Sequence, residues 1–579
     1  MHLNLPPPSP RGFVLAAGLA LLLPLAAAKG ETLPTSGSDA AAGDPLPTMR
    51  RALEYAAARL GAGPDPAYHL AFALAESRTF SVQGTHGALA SSTWDTRRTA
   101  DVDIRVGSMA LDNTHKLRDA SWWSESSRPN LVAPLGSGDN ALFELLLRGA
   151  DDTYRAARRR LIKVRANTAV KVEREDGSDD FSPAPAVTAR HPVPALALHE
   201  PAWRDLIRDV SALYLDYPAV HDSAVQLQAT EGRRWLVTNE GTDIADGRQH
   251  LRLATWATTT ADDGMELQVY DYVDVASVDR LPARPAVEQM VKAVAERLTA
   301  LRAAPVVEPY AGPAILNGRA AGVFFHEIFG HRIEGHRQKD EDEGQTFTSR
   351  VGQPILPPFL SVVDDPTLPS LAGQDLNGHY RYDDEGVAAE RVTLVDRGVL
   401  RNFLMSRAPV EGFPRSNGHG RRQPGSEVVA RQGNLIVEAH QTVPYAELRR
   451  RLLAEVKRQD KPFGLVFDDI TGGFTFTGRS EPNAFAVQPV TVWRVYADGR
   501  PDELVRGVDL IGTPLTTFSR ILAAGDDRDV FNGMCGAESG WVPVSASAPS
   551  LLVSEVEVQR QQKANDRPPV LPAPMPEAR

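Results

Sequence analysis

Three observations predict an α+β fold built from two domains. Helical and strand-like patterns are mixed along the chain; the strand-like runs follow one another across short turn segments, as antiparallel sheets require; and a proline-flanked connector, "AAPVVEPYAGP", interrupts the pattern near residue 305. The boundary separates a domain over 48–305, where helices and strands mix, from one over 306–562, where antiparallel strands dominate.

Taken in order, residues 1–28 place Arg11 ahead of an apolar stretch from Phe13 to Ala28 that ends in small residues. This reads as a signal peptide that is cleaved on export, to the periplasm of a bacterium. A retained anchor is the alternative, but Pro24 interrupts a stretch that barely reaches spanning length. Residues 29–47 are small, polar and proline-bearing, and are read as a flexible leader. Folded structure is expected from Thr48, with a helix over 48–61 and strands over 66–108, where Val102, Ile104 and Val106 alternate. Helices near 139–164 and 202–215 precede two segments, "SAVQLQATEGRRWLVTNEG" and "RLATWATTTADDGMELQVYDYV", with the pattern of antiparallel strands and their turns. From Ala286 to Leu301, Val287, Met290, Val291, Val294, Leu298 and Leu301 form the stripe of an amphipathic helix. Beyond the connector, "RVTLVDRGVLRNFLMS", "GLVFDDITGGFTFTG" and "FAVQPVTVWRVYADG" read as strands and Tyr445–Lys457 as a helix; residues 563–579 form a proline-rich tail without a core pattern.

With 579 residues, 42% apolar and 24% charged, the chain can bury a large core. A net charge of −11 without a clustered Lys/Arg excess argues against nucleic-acid binding. The run Lys339 to Glu343 reads as a solvated loop. Cys535 is the sole cysteine, which excludes an intramolecular disulfide and leaves a thiol that an oxidising compartment would attack unless it is buried or ligated.

The chemistry concentrates in "GVFFHEIFGHRIEGH", Gly322 to His336. A helix is expected from Ala320 to Glu334, yet at about 100° per residue His326 and His331 would point roughly 140° apart and could not share an ion. A π-type turn would absorb the extra residue, and Gly330 lowers crowding there, so a π-bulge or kink is predicted between the two histidines. Glu327 would then stand beside a Zn²⁺ ion without binding it, placed as the general base of metal-assisted hydrolysis. His336, five further on, rotates away again. Cys535 is the better third ligand: it lies in "FNGMCGAESGWVPVSASAPSLLV", read as a loop in which Gly533 and Gly536 permit close backbone approach. The alternatives are packed, hydrogen-bonded histidines and a small buried cysteine.

The segments "HEIFGHRIEGH", "DDEGVAAERVTLVDRGVLRNFLMSR", "RSNGHGRR", "GTPLTTFSRI" and "MCGAESGWVPVSASAPSLLVSEVEV" occur in the order found in the TldD/PmbA family of zinc metallopeptidases, which the chain resembles from about residue 48 to 560. The resemblance implies an N-terminal α/β domain and a C-terminal sheet-rich one, zinc held by His326, His331 and Cys535, Glu327 as catalytic base, and a dimer formed with itself or with a metal-free paralogue. It also implies peptides or unfolded protein segments as substrates, for which addition to a sheet edge would explain weak sequence preference. Three departures stand out: the apparent export signal, since the better-known members are cytoplasmic; the longer chain; and His336, where those members usually carry aspartate. Glu334 is placed either to orient a ligand or as an exposed helical carboxylate. In "SNGHGRR", His419 or Arg421 is a candidate oxyanion donor, with ordinary loop polarity as the alternative. The leading function is an exported zinc peptidase without stable membrane insertion. The alternatives are a scaffold subunit that depends on a partner for activity, and hydrolysis of a non-peptide amide.

Overall fold

The computed structural model describes residues 43–117, 131–136, 139–169, 176–340, 342–475, 477–478, 485–512 and 514–561. The expected signal peptide, most of the leader and the proline-rich tail lie outside them. The first helix, α1 (Leu46–Leu60), starts two residues ahead of the expected Thr48. Pro47 explains this: its fixed φ and missing N–H suit a first helical turn, and Leu46 is fully buried.

Strands β1 (Ala67–Thr85) and β2 (Ala88–Ser108) form a long hairpin. His86 and Gly87 both have positive φ, 46° and 82°, the geometry that lets a two-residue loop follow the twist of its strands. The sheet continues through β3 (Asp222–Thr238), β4 (Asp243–Thr260) and β5 (Glu266–Val275) in the order β2-β1-β3-β4-β5, antiparallel between these five strands, while the short segment Thr188–Arg190 pairs parallel with β4. Four helices cover one face of it. At one end, α1 and α2 (Asp139–Ala169) pack on Leu70, Phe72, Leu74, Val102 and Ile104; at the other, α3 (Glu200–Ser211) and α4 (Arg284–Ala303) pack on Phe80, Val82, Leu227 and Leu253. Because strand side chains alternate, Asp103 and Arg234 fall on the opposite face and meet the C-terminal half: Arg422 reaches Asp103 at 2.8 Å and Arg234 reaches Asp384 at 2.6 Å.

After α4, β6 (Tyr310–Leu316) leads into the histidine helix α5 (Gly318–Ile328). Two sheets flank that helix. The first, from chain end to end, contains β7 (Leu360–Asp364), β8 (Val392–Asp396), β9 (Val399–Leu400) and β10 (Asn434–Ala439), and ends on two strands from much later in the chain. The second begins after α6 (Tyr445–Arg458) with β11 (Gly464–Thr475), β12 (Phe485–Val495), β13 (Glu503–Val505), β14 (Val508–Gly512) and β15 (Ile521–Ala524). The last three strands are β16 (Asp529–Ala537), β17 (Gly540–Ala548) and β18 (Leu551–Arg560). The first sheet has the order β9-β8-β7-β10-β17-β16, with one parallel pairing between β10 and β17. In the second, β11 pairs with both β6 and β12 while β6, β18, β14 and β12 follow one another, so the strands close into a ring. Val323, Phe324, Phe325 and Ile328 of α5 share one apolar core with Leu360, Val362 and Val437 of the first sheet and Leu465, Phe467, Leu510 and Val553 of the second. α5 is thereby buried from end to end. Among the described residues no helix is long and apolar enough to cross a membrane.

Candidate metal centre

Gly318, Gly322 and His326 recur every four residues and so form one stripe of α5. A Cβ on Gly318 would come within 2.8 Å of Ala548 O and Asp529 N, and one on Gly322 within 2.9 Å of Ala546 O. The two glycines therefore let the helix rest directly on the backbone of β17. His326, the next position on the stripe, is delivered to Cys535, which sits on β16 opposite Val542 of β17.

The expected widening between the histidines is absent, and the helix tightens instead. α5 ends at Ile328, Phe329 takes φ −106° and ψ −53°, and Gly330–Ile333 forms a 3₁₀ turn. Of the two distortions expected, the π-bulge does not form and the kink does, as a helix end followed by a tighter turn. Two side chains account for it. Arg332 Nη1 donates to the carbonyls of Glu327 and Ile328, at 3.2 Å each, which a continuing α-helix would have satisfied from its own backbone. Gly330 is pressed against Gln432, whose carboxamide occupies the space of any Cβ at that position, while its Nε2 donates to His326 O at 3.4 Å.

The turn swings His331 back toward His326, with ring centroids 5.2 Å apart, and His331 Nε2 lies 3.3 Å from Cys535 Sγ. One donor atom each from His326, His331 and Cys535 lies within 4.8 Å of the others, and all three residues are buried. Cys535 is on a strand, contrary to the loop expected for it. Gly533 and Gly536 make room for side chains of their own hairpin, the Phe531 ring and the Trp541 indole, where close backbone approach was expected.

Burial pushes the Cys535 thiol up, but His331, Arg431 and His326 together pull it well below its ordinary value. Burial opposes protonation of both histidines, yet Cys535 lifts His326, and Cys535 and Glu334 lift His331. Glu334 is fully buried, so the exposed-carboxylate alternative is excluded: its Oε1 stands 3.5 Å from His331 Nδ1, and Arg337 Nε donates to its Oε2 at 2.9 Å. Burial raises this carboxyl, but His331 and Arg337 bring it to about 2. Glu327, next to His326 and 7% exposed, is shifted the other way, its carboxyl pushed up by burial. His336 binds Glu538, away from the cluster.

The structure leaves His419 out of the cluster. Its ring is fully buried, with Nδ1 3.0 Å from Asn417 and Nε2 3.2 Å from Asp364 Oδ1, so neither nitrogen is open to a substrate. The oxyanion-donor expectation for it is replaced by a structural one, because the loop read as exposed is covered by Tyr380 and Asp364. Arg421 is also buried, donating to Gln432 O beside the Tyr380 ring. Sequence reasoning missed Arg431, Gln432 and Asn532. Asn532, three residues before Cys535, accepts at its carbonyl from Tyr272 Oη at 2.7 Å and Arg252 Nη2 at 3.2 Å, both in the N-terminal sheet, and its Nδ2 donates to Asp375 O at 2.8 Å. The only cue was "RQGN" (431–434), strongly polar residues heading an apolar strand.

The donor set fits a small divalent cation. Two imidazoles and a thiolate are the borderline-soft ligands that such an ion takes, and His326 Nδ1 is buried without a hydrogen-bond partner among the described residues. Three donors with a carboxylate alongside resemble a reactive site more than a closed four-ligand structural one.

Residues 310–560 match the family described as PmbA/TldA metallopeptidase C-terminal domain. A metalloprotease of Archaeoglobus fulgidus is 28% identical over 239 residues, 41% of this chain and 51% of its own. A metalloprotease TldD homologue of Haemophilus influenzae is 29% identical over 253 residues, 42% of this chain and 48% of its own. The chain thus spans about half the length of these relatives. In fold it is similar to TldE from Thermococcus kodakarensis, with a TM-score of 0.59 at 13% identity over 88% of this chain and all of the other. The matched segment, residues 310–560, carries both histidines and the cysteine, so the likeness to the PmbA/TldA metallopeptidases includes the candidate site.

Proposed function

We propose that the protein is a zinc-dependent peptidase acting on peptides or unfolded protein segments, with His326, His331 and Cys535 as the metal ligands and Glu327 as general base. The observation that carries this reading is a three-donor cluster, buried and complete within one chain, with a carboxylate on the residue next to its first ligand. When bound, zinc would supply Lewis acidity toward water and the scissile carbonyl. Glu327 accepts the proton that the attacking water gives up and passes it to the departing amine, so its carboxyl must change protonation state within each turnover. Burial favours this, because it pushes the Glu327 carboxyl above its ordinary value. No described side chain hydrogen-bonds that carboxylate and so competes for the role. Glu334 holds the His331 ring from behind and stays ionised.

The relatives' names support the peptidase class. Export to a periplasm rests on residues 1–28 alone, and dimerisation with itself or a metal-free paralogue on the family resemblance alone. The test is metal content and peptide hydrolysis for wild type and Glu327→Gln. Zinc retained at one per chain with turnover reduced by about 10²–10⁴-fold is the expected result. Wild-type turnover in the Gln variant would remove Glu327 as the base, and no turnover in either protein would favour a scaffold subunit.

A further inference from the structure

The donors of the cluster come from two distant pieces of chain, a helix end and a strand, and one residue outside the donor set touches both. Arg431 is fully buried. Its Nη2 donates to Cys535 Sγ at 3.1 Å and to Cys535 O at 2.7 Å, and its Nη1 to Ser539 Oγ at 2.7 Å and Gly540 O at 3.1 Å. Its Nε lies 3.4 Å from Glu334 Oε1, the same oxygen that stands 3.5 Å from His331 Nδ1. A planar guanidinium thus reaches the sulfur of the strand on one edge and the carboxylate behind the His331 ring on another. A lysine at this position has a single point of charge and could not span both.

We propose that Arg431 is a positioning residue for the metal site: with Glu334 between them, it fixes Cys535 Sγ relative to His331 Nε2 so that the donors are in place before an ion arrives. The inference rests on the metal-site reading above. Two effects of this guanidinium have opposite sign. Its charge repels a cation, so on charge alone removing it would tighten metal binding. Its bonds order two ligands that meet only through tertiary contacts, so on positioning its removal loosens binding, by about 10–100-fold for partners of this kind. The geometry favours the second. The guanidinium spends its hydrogen bonds on Cys535 and the hairpin that carries it and reaches Glu334, behind the His331 ring, through an ion pair, and a buried arginine without such a role would carry its desolvation cost for nothing.

The experiment titrates the full-length, metal-free protein with Co²⁺, and with Zn²⁺ against a chromogenic chelator, comparing wild type with Arg431→Gln, Arg431→Lys and Glu334→Gln. Cobalt's visible bands report tetrahedral geometry, and its near-ultraviolet sulfur-to-metal band reports ligation by Cys535. Expected are about 10–100-fold weaker Zn²⁺ binding and a diminished or shifted sulfur band in all three variants, the lysine included. Lysine restoring wild-type affinity would show that one cationic contact suffices and would overturn the role of the guanidinium in spanning both pieces of chain. Unchanged or tighter binding in the glutamine variants with the sulfur band intact would overturn the positioning role while leaving the metal site standing. If Arg431→Gln fails to fold, Glu334→Gln carries the same comparison. A wild-type protein without cobalt bands would overturn the metal-site reading, and the positioning role with it.

Discussion

Gly322→Ala tests the contact that delivers His326 to the cluster. The new Cβ would lie 2.9 Å from Ala546 O and 3.1 Å from Ala546 C, both backbone atoms of β17 that have no side-chain freedom to withdraw. Ordinary contact begins near 3.4 Å, so α5 must lift by about 0.5 Å at this turn. His326 is one turn further along the same stripe, and metal–ligand distances tolerate only about 0.2 Å, so the displacement exceeds what the donor set absorbs without rearranging. Two opposing terms act on stability. Alanine is favoured over glycine in a helix interior by about 1 kcal/mol, whereas overpacking against an unyielding neighbour costs about 1–3 kcal/mol. The net expectation is a loss of about 1 kcal/mol, or ~2–4 °C in the melting temperature of the metal-free protein, for a cooperative unit of about 250 residues. Zinc affinity, measured by chelator competition, should fall about tenfold or more. A variant that melts about 1 kcal/mol higher and binds zinc like wild type would show that the helix propensity gain acts unopposed, and that the glycine stripe does not set the His326–Cys535 distance.

Two further expectations concern the surroundings of the site. Asp274 on β5 accepts from Arg252 at 2.7 Å and faces His250 at 3.0 Å; burial raises its carboxyl, but Arg252 brings it down to about 2 from an ordinary 3.8. The unfolded chain therefore binds this proton more readily, so the stabilisation is complete above about pH 4 and is lost as the pH falls toward 2, on the order of 2 kcal/mol. Urea unfolding of wild type and Asp274→Asn at pH 6 and pH 2.5 should give a stability gap that narrows at the lower pH, and a constant gap would contradict the pairing. Phe325→Ala empties a fully buried site 5.3 Å from the Phe518 ring, and should cost about 3–5 kcal/mol in the same assay, with a loss below about 1 kcal/mol refuting its place in the core.

The helices and the long strands could be read from periodicity because each buries a single face: α4 runs Arg284–Ala303 around the expected Ala286–Leu301, and α6 runs Tyr445–Arg458. The three residues that cluster could be picked out for a different reason, the rarity of the motif. How the donors meet was not legible. The end of α5 depends on Arg332 folding back onto the carbonyls of Glu327 and Ile328, and on a glutamine a hundred residues away filling the space beside Gly330. Neither contact leaves a periodic trace. The glycines beside Cys535 suggest a loop with close backbone approach, but on the strand their missing side chains leave room for Phe531 and Trp541. The glycines on either side of His419 suit a tight loop, but its sequence carries no trace of the contacts with Asn417 and Asp364 that occupy both ring nitrogens.

The grip of Tyr272 and Arg252 on Asn532 means that the sulfur-bearing strand is steadied from the half of the chain that supplies none of the donors. A fragment excised after residue 305 would retain His326, His331 and Cys535, yet its outermost strand would be released on one flank. Freed of that brace, it would present an open hydrogen-bonding border three residues from the thiol, a surface that invites aggregation as readily as it would accept a substrate.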